Sequence, residues 1–218
     1  MKNLITTTFI LFFFIGIANG QYLNDLQGKP LSEISFTDVV GTPYLYDGWT
    51  KGTVELVNGT FYKDLDLKFS LFTDELFFKN TKDETMLAFV LPVKSFLLDF
   101  ESQKSLYRNG FPEVDNFNKK AYYQVLYDGN LKLLFKSYKT VSEIKPYNSA
   151  TTEKKFAENY SYYILKDDLM VKIRPSKKDF LELFKNKSAE MDAFIKTEKI
   201  DFKKNQDLTR TFEFYSSL

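Results

Sequence analysis

Alternating apolar and polar residues dominate the middle of the chain and predict β-strands with one buried face. The clearest run is 65–72, where every second residue is apolar: Leu65, Leu67, Phe69 and Leu71. Similar patterns predict strands at 53–57, 60–62, 75–79, 86–91, 94–100, 123–127, 131–135, 160–164 and 169–173. The segments between the paired runs are too short for βαβ crossovers, so the pattern predicts a long curved antiparallel β-meander.

Polar turns separate these strands and set the expected pairing. Asn58 and Gly59 tolerate positive φ and predict a type I′ hairpin between the first two strands. Residues 128–130 and 166–168 are polar turns that predict two further hairpins. Residues 101–120 contain several polar residues, glycine and proline, and therefore predict a loop that crosses the surface.

The last part of the chain, residues 176–218, changes to the 3.6-residue period of amphipathic helices. Ser176, Ser188 and Asn205 are placed to begin three short helices. Their apolar stripes consist of Phe180, Leu181 and Phe184, then Met191, Phe194 and Ile195, then Leu208, Phe212 and Tyr215. The predicted fold class is α+β, with a long curved antiparallel β-meander covered by short C-terminal helices.

The N-terminal residues 1–20 predict a cleavable signal peptide. Lys2 provides a positive start, an uncharged apolar run follows, and Ala18 and Gly20 occupy the small-residue positions of a cleavage site. A membrane anchor is the alternative, but the apolar run is shorter than the roughly 20 residues of a spanning helix. Cleavage is the favoured interpretation, and it leaves residues 21–218 as a single β-rich domain without a membrane span, exported to the periplasm or secreted.

Composition narrows the possible partners of this domain. The chain has no cysteine, which excludes disulfides, thiolate metal sites and a cysteine-linked lipid anchor. It has 30 basic and 29 acidic side chains, and loss of Lys2 with the signal would balance the two. Paired lysines are dispersed among acids instead of forming a basic face, so we expect no nucleic-acid partner.

The chain also lacks most groups on which catalysis depends. Without histidine it cannot form a Ser-His-Asp triad or an imidazole metal site. Asp64 and Asp66 share a strand face roughly 6.6–7 Å apart, a spacing that suits a carboxylate-dependent hydrolase. The alternation with Leu65 and Leu67, however, places both carboxylates on the face that points to solvent. No glycine-rich phosphate loop or calcium loop occurs, so no catalytic residue, metal or cofactor is predicted.

Aromatic side chains are the remaining candidates for binding. The chain has 23 Phe, 14 Tyr and one Trp, and residues 43–49 combine Tyr44, Tyr46 and Trp49. On a loop these rings would stack on a sugar or an apolar ligand; inside, they would anchor the N-terminal segment to the sheet. Anchoring is the favoured interpretation for Trp49, and also for the tyrosines of residues 160–163.

Three stretches resemble a known family. Residues 41–52, 147–152 and 180–184, with the sequences GTPYLYDGWTKG, YNSATT and FLELF, are similar to a family of uncharacterised small exported proteins from Bacteroidetes. The resemblance covers most of residues 21–218 and implies a bacterial envelope or secreted location. It implies no activity and no site residue.

The sequence leaves several functions open. An exported, non-catalytic binding or envelope-interaction module ranks first, with an envelope protein, a glycan or an apolar small molecule as its partner. A structural component of the envelope ranks second, and an enzyme that uses carboxylates or tyrosines ranks third. A carrier of an apolar ligand in a cavity enclosed by the sheet is a further alternative.

Overall fold

The computed structural model describes residues 26–30, 36, 38–145 and 152–218. The expected signal peptide lies outside these residues. The strands are β1 (Gly28–Pro30), β2 (Val39–Val40), β3 (Thr50–Leu56), β4 (Phe61–Ser70), β5 (Glu75–Lys79), β6 (Met86–Phe89), β7 (Val93–Phe100), β8 (Gln103–Arg108), β9 (Tyr123–Tyr127), β10 (Lys132–Ile144), β11 (Glu153–Lys166) and β12 (Leu169–Ile173). The helices are α1 (Lys177–Leu183), α2 (Ser188–Thr197) and α3 (Asn205–Ser217), and a short 3-10 helix occupies Lys185–Lys187.

The strands form one mainly antiparallel sheet. Its order is β1-β6-β5-β4-β3-β7-β8-β9-β10-β11-β12, and the two-residue β2 pairs in parallel with β11. From β7 onwards each strand lies beside its successor in the chain, which is a meander of six strands. The prediction of a long antiparallel meander followed by three short helices is therefore confirmed.

The predicted surface loop at 101–120 contains a strand, so that prediction is wrong for its first part. β8 pairs with β7 along its whole length, from Phe100 opposite Gln103 onwards. The connecting residues Glu101 and Ser102 have φ angles of 51° and 65°. Two positive φ angles in a two-residue hairpin define a type I′ turn, which here forms without glycine or asparagine and leaves no turn signal in the sequence.

The hairpin at Asn58 and Gly59 exists, but its turn differs from the prediction. Only Gly59 has a positive φ, 83°, and its N–H donates to the Leu56 carbonyl at 2.9 Å. The Leu56 N–H in turn donates to the Thr60 carbonyl at 2.9 Å. This pattern is a turn closed by a glycine bulge instead of a type I′ turn.

A second bulge decides which face several side chains occupy. Around Asp64, whose φ is 57°, two residues of β4 oppose one residue of β3. Because side chains alternate along a strand, this extra residue shifts the facing pairs by one position. Beyond the bulge the buried Thr50 pairs with the buried Leu67. Trp49, one residue before the inward Thr50, lies on the outer face by the regular alternation of β3, and the bulge in β4 brings Lys68 level with it.

Three buried clusters stabilise the fold. The first lies on the inner face of β3–β8, the second joins β10 and β11 to the helices, and the third lies beneath the segment 109–122. The predicted inward positions of 65–72 are all buried in the first cluster. Of the tyrosines expected to be anchors, Tyr162 and Tyr163 are buried, but Tyr160 is 64% exposed and does not fit that prediction.

The helices begin where the sequence predicted. The Ser176 side chain accepts a hydrogen bond from the Asp179 N–H at 3.1 Å and so caps α1. Five apolar side chains of the helical stripes are fully buried in the second cluster: Phe180, Phe184, Met191, Leu208 and Phe212. None of the helices in the described ranges combines the length and the apolar composition that a membrane span needs.

Candidate functional site

The segment that carries the predicted binding aromatics is held rigidly on the sheet. The Leu45 N–H donates to the Phe69 carbonyl at 2.9 Å, which continues the pairing along β4. The Lys139 ammonium donates to the backbone carbonyls of Thr42 and Tyr44 at 3.0 and 2.6 Å. The backbone of residues 42–45 is thus fixed by groups from two different strands.

The structure separates the three candidate aromatics. Tyr46 stacks on Phe100 with ring centroids 3.8 Å apart, and it packs against the first buried cluster. Tyr44 and Trp49 are partly exposed, as Tyr46 is, but their rings lie near Lys68. The Lys68 ammonium is 4.6 Å from the centroid of the Tyr44 ring and 5.6 Å from that of Trp49. We call these three residues the Lys68 surface.

Trp49 is less buried than the sequence led us to expect of an anchor. Trp49 is partly exposed and belongs to none of the three buried clusters. Leu45 and Tyr46 pack against the first cluster and hold the segment instead. The cause is the regular alternation of β3, which points Thr50 inward and therefore the residue before it outward.

Lys68 was not singled out from the sequence, where it is one of several polar residues on the outer face of a strand. Its ammonium makes no salt bridge within the part of the chain that the structure describes, although a charged pair, Lys51 and Asp66 at 2.8 Å, lies on the same face. Beneath it, Phe77 is buried and makes an edge contact with Tyr44 at 6.5 Å. Partial burial raises the pKa of the Tyr44 hydroxyl above its usual range.

A second cluster of polar groups surrounds the buried Lys136. Its ammonium donates to Asp74 Oδ1 at 2.6 Å and to the Tyr122 carbonyl at 3.0 Å, while Asp74 Oδ2 accepts from the Tyr122 N–H at 3.2 Å. Desolvation raises the pKa of Asp74 and lowers the pKa of Lys136. For each of these two residues, the effect of burial on the pKa is thus larger than the opposing effect of the ion pair.

Asp74 and Tyr122 also line an open cleft of about 290 Å³ with an apolar wall of Ala88, Phe89 and Val93. The acids that line the cleft are the partly buried Asp74 and the exposed Glu75, and the Asp74 carboxylate is held in the ion pair with Lys136, unlike the free carboxylate pair of a glycosidase. The volume is at the lower limit for ligand pockets, about 300 Å³. Two further open clefts, of about 290 and 450 Å³, lie near Leu26.

The carboxylates considered from the sequence do not form a site. Asp64 is exposed at its bulge, and Asp66 pairs with Lys51 across the strand. Asp167 and Asp168 occupy the two positive-φ positions of the β11–β12 turn. Within the described ranges, no group of three or more Asp, Glu, His or Cys side chains is arranged to hold a metal ion.

The chain was also compared with models of known protein families, with curated proteins and with solved structures. None of these comparisons gave a match.

Proposed function

We propose that the protein is an exported, non-catalytic binding module that holds a carbohydrate on the Lys68 surface. The observation that carries this proposal is the position of Tyr44 and Trp49, two partly exposed rings whose centroids lie 4.6 and 5.6 Å from one ammonium group. A sugar ring presents an apolar C–H face and polar hydroxyl edges. An aromatic ring beside a hydrogen-bond donor matches both.

Rigidity supports a binding role for this surface. The backbone of Tyr44 is held by Lys139, and the neighbouring Tyr46 ring is stacked on Phe100. A preorganised surface loses less conformational entropy on binding than a flexible loop does, so more of the contact energy appears as affinity. The open clefts of about 290–450 Å³ give less support to a carrier that encloses an apolar ligand.

We also propose that residues 21–218 form one domain whose sheet is curved. In support, the rings of Phe69 on β4 and Tyr107 on β8 lie 5.4 Å apart, although β3 and β7 separate these strands. Neighbouring strands are spaced about 4.8 Å apart, so three steps across a flat sheet would hold the rings much farther from each other. The Lys139 N–H also donates to the Leu71 carbonyl at 2.9 Å, which joins the end of β4 to β10.

Binding can be tested by titrating the protein with soluble plant and bacterial polysaccharides. We expect Trp49→Ala to raise the dissociation constant of the bound polysaccharide by at least about tenfold, because it removes one of the two partly exposed rings beside Lys68. Tyr160→Ala is the matched control, since Tyr160 is an exposed aromatic outside the Lys68 surface. If Trp49→Ala binds as tightly as the wild type while both variants keep the wild-type melting temperature, the proposed site is wrong.

Export is proposed from the sequence of residues 1–20. We expect the exported protein to begin at Gln21, as measured by intact mass in envelope and culture fractions. Gly20→Phe should leave the precursor unprocessed, because signal peptidase accepts only small side chains at that position. Exported protein that retains Met1 would contradict the proposal.

A further inference from the structure

Resting on the proposed function, we infer that the carbohydrate held by the Lys68 surface is acidic, and that its anionic group binds the Lys68 ammonium. The Lys68 side chain is partly buried, yet its three N–H donors face two aromatic rings that provide no strong hydrogen-bond acceptor. Its charge is attracted to the rings but is not neutralised by them.

Four lysines in this part of the sheet have partners, and Lys63 and Lys104, which have none within the described ranges, are exposed, whereas Lys68 is partly buried. The ammonium groups of Lys51, Lys79 and Lys94 lie 2.8, 2.8 and 2.7 Å from the carboxylates of Asp66, Glu84 and Glu55. Lys139 is committed to the backbone carbonyls of Thr42 and Tyr44. Within the described ranges, Lys68 differs from these four in having neither a carboxylate nor a carbonyl contact.

An acidic sugar would complete this arrangement. A carboxylate, sulfate or phosphate on the sugar would accept charge-assisted hydrogen bonds from Lys68, which are stronger than bonds to a neutral hydroxyl. The sugar's C–H face would at the same time contact Trp49, whose ring centroid lies 5.6 Å from the ammonium. Partial burial between the rings reduces screening of this contact by solvent.

The test compares each acidic polysaccharide with its own neutral form. Polygalacturonate, alginate and hyaluronan are titrated beside their carboxyl-reduced counterparts, which keep the chain length but lose the charge. We expect the wild type to bind at least one acidic polymer about tenfold or more tightly than its reduced form, with affinity falling as salt is raised.

Variants of Lys68 then test whether the preference for the acidic polysaccharide depends on this residue. Lys68→Met keeps an apolar stem and should lower affinity for the acidic polymer to that of the reduced one, while Lys68→Arg should retain the preference. Lys203→Met is the matched control, because it removes one exposed positive charge between α2 and α3. This control should leave the preference unchanged.

The outcomes separate this inference from the proposed function. If the protein binds polysaccharides through Trp49 without preferring any acidic form, or if Lys68→Met keeps the preference, the inference is wrong and the proposed function stands. If no polysaccharide binds in a Trp49-dependent way, both are wrong.

Discussion

Asp74→Asn is expected to lower the free energy of unfolding by about 3–5 kcal/mol, the usual cost of breaking a buried ion pair on one side. The substitution leaves the ammonium of Lys136, whose side chain is 1% exposed, without its carboxylate. Asparagine suits the test because Asp74 has a φ of 59°, a conformation that asparagine tolerates. Chemical denaturation followed by tyrosine and tryptophan fluorescence measures the change.

Asp66→Asn is the matched control for this prediction. It breaks the exposed pair with Lys51, and such surface pairs contribute about 0–1 kcal/mol. The double variant Asp74→Asn/Lys136→Met should recover much of the lost stability, because an apolar chain there would pack against the rings of Phe117 and Tyr123. Equal small losses in both single variants would show that the Asp74–Lys136 pair is energetically unimportant.

The pH dependence of Asp74→Asn provides a second check. Burial already lowers the pKa of Lys136 in the folded state, and loss of the Asp74 carboxylate lowers it further. A lysine whose folded pKa is below its unfolded value of about 10.4 is destabilising while it is charged. This destabilisation by the charged lysine therefore decreases as the pH rises above the pKa of Lys136 in the folded state, and it is gone above the pKa in the unfolded state. The stability gap between Asp74→Asn and wild type should narrow above neutral pH.

Phe212→Ala is the second substitution for which we expect a loss of about 3–5 kcal/mol, as for other buried aromatic residues. Phe212 on α3 is fully buried. Its ring centroid lies 5.7 Å from those of Tyr127 on β9 and Phe180 on α1, and 5.2 Å from that of Phe184. The substitution would leave a cavity where two helices meet the sheet.

Phe214→Ala, on the same helix, controls for the loss of any phenyl ring. Phe214 is partly exposed and stacks on Phe194 at 4.1 Å, so its removal should cost clearly less. The comparison also tests whether the helices belong to the domain. An independent helical appendage would give Phe212→Ala a separate early transition and leave the main unfolding transition unchanged, contrary to our expectation.

The strands, the helices and their buried faces follow from the sequence alone because they depend on local periodicity. Alternation in 65–72 places Leu67 and Phe69 on a buried face, and a 3.6-residue period places Phe180 and Phe212 on buried helix stripes. A serine before such a stripe caps its helix, as Ser176 does. These patterns identify the elements and their inner faces without knowledge of their neighbours.

The lengths of some strands, and one whole hairpin, were less visible in the sequence. The long β10–β11 hairpin extends to Ile144 and begins again at Glu153, well beyond the predicted runs 131–135 and 160–164, because its outer half is mostly polar. β8 was missed because a turn built from Glu101 and Ser102 carries no glycine signal.

The candidate site was decided by tertiary structure. One extra residue of β4 at the Asp64 bulge brings Lys68, instead of Leu67, opposite Trp49, and the periodicity of a single strand cannot reveal such a pairing. The partner of Lys136 is also 62 positions away in the chain, and only the docking of the β4–β5 turn on β10 brings Asp74 to it. Local pattern therefore determined which residues are inside this protein. Register and long-range packing determined which polar and aromatic side chains meet.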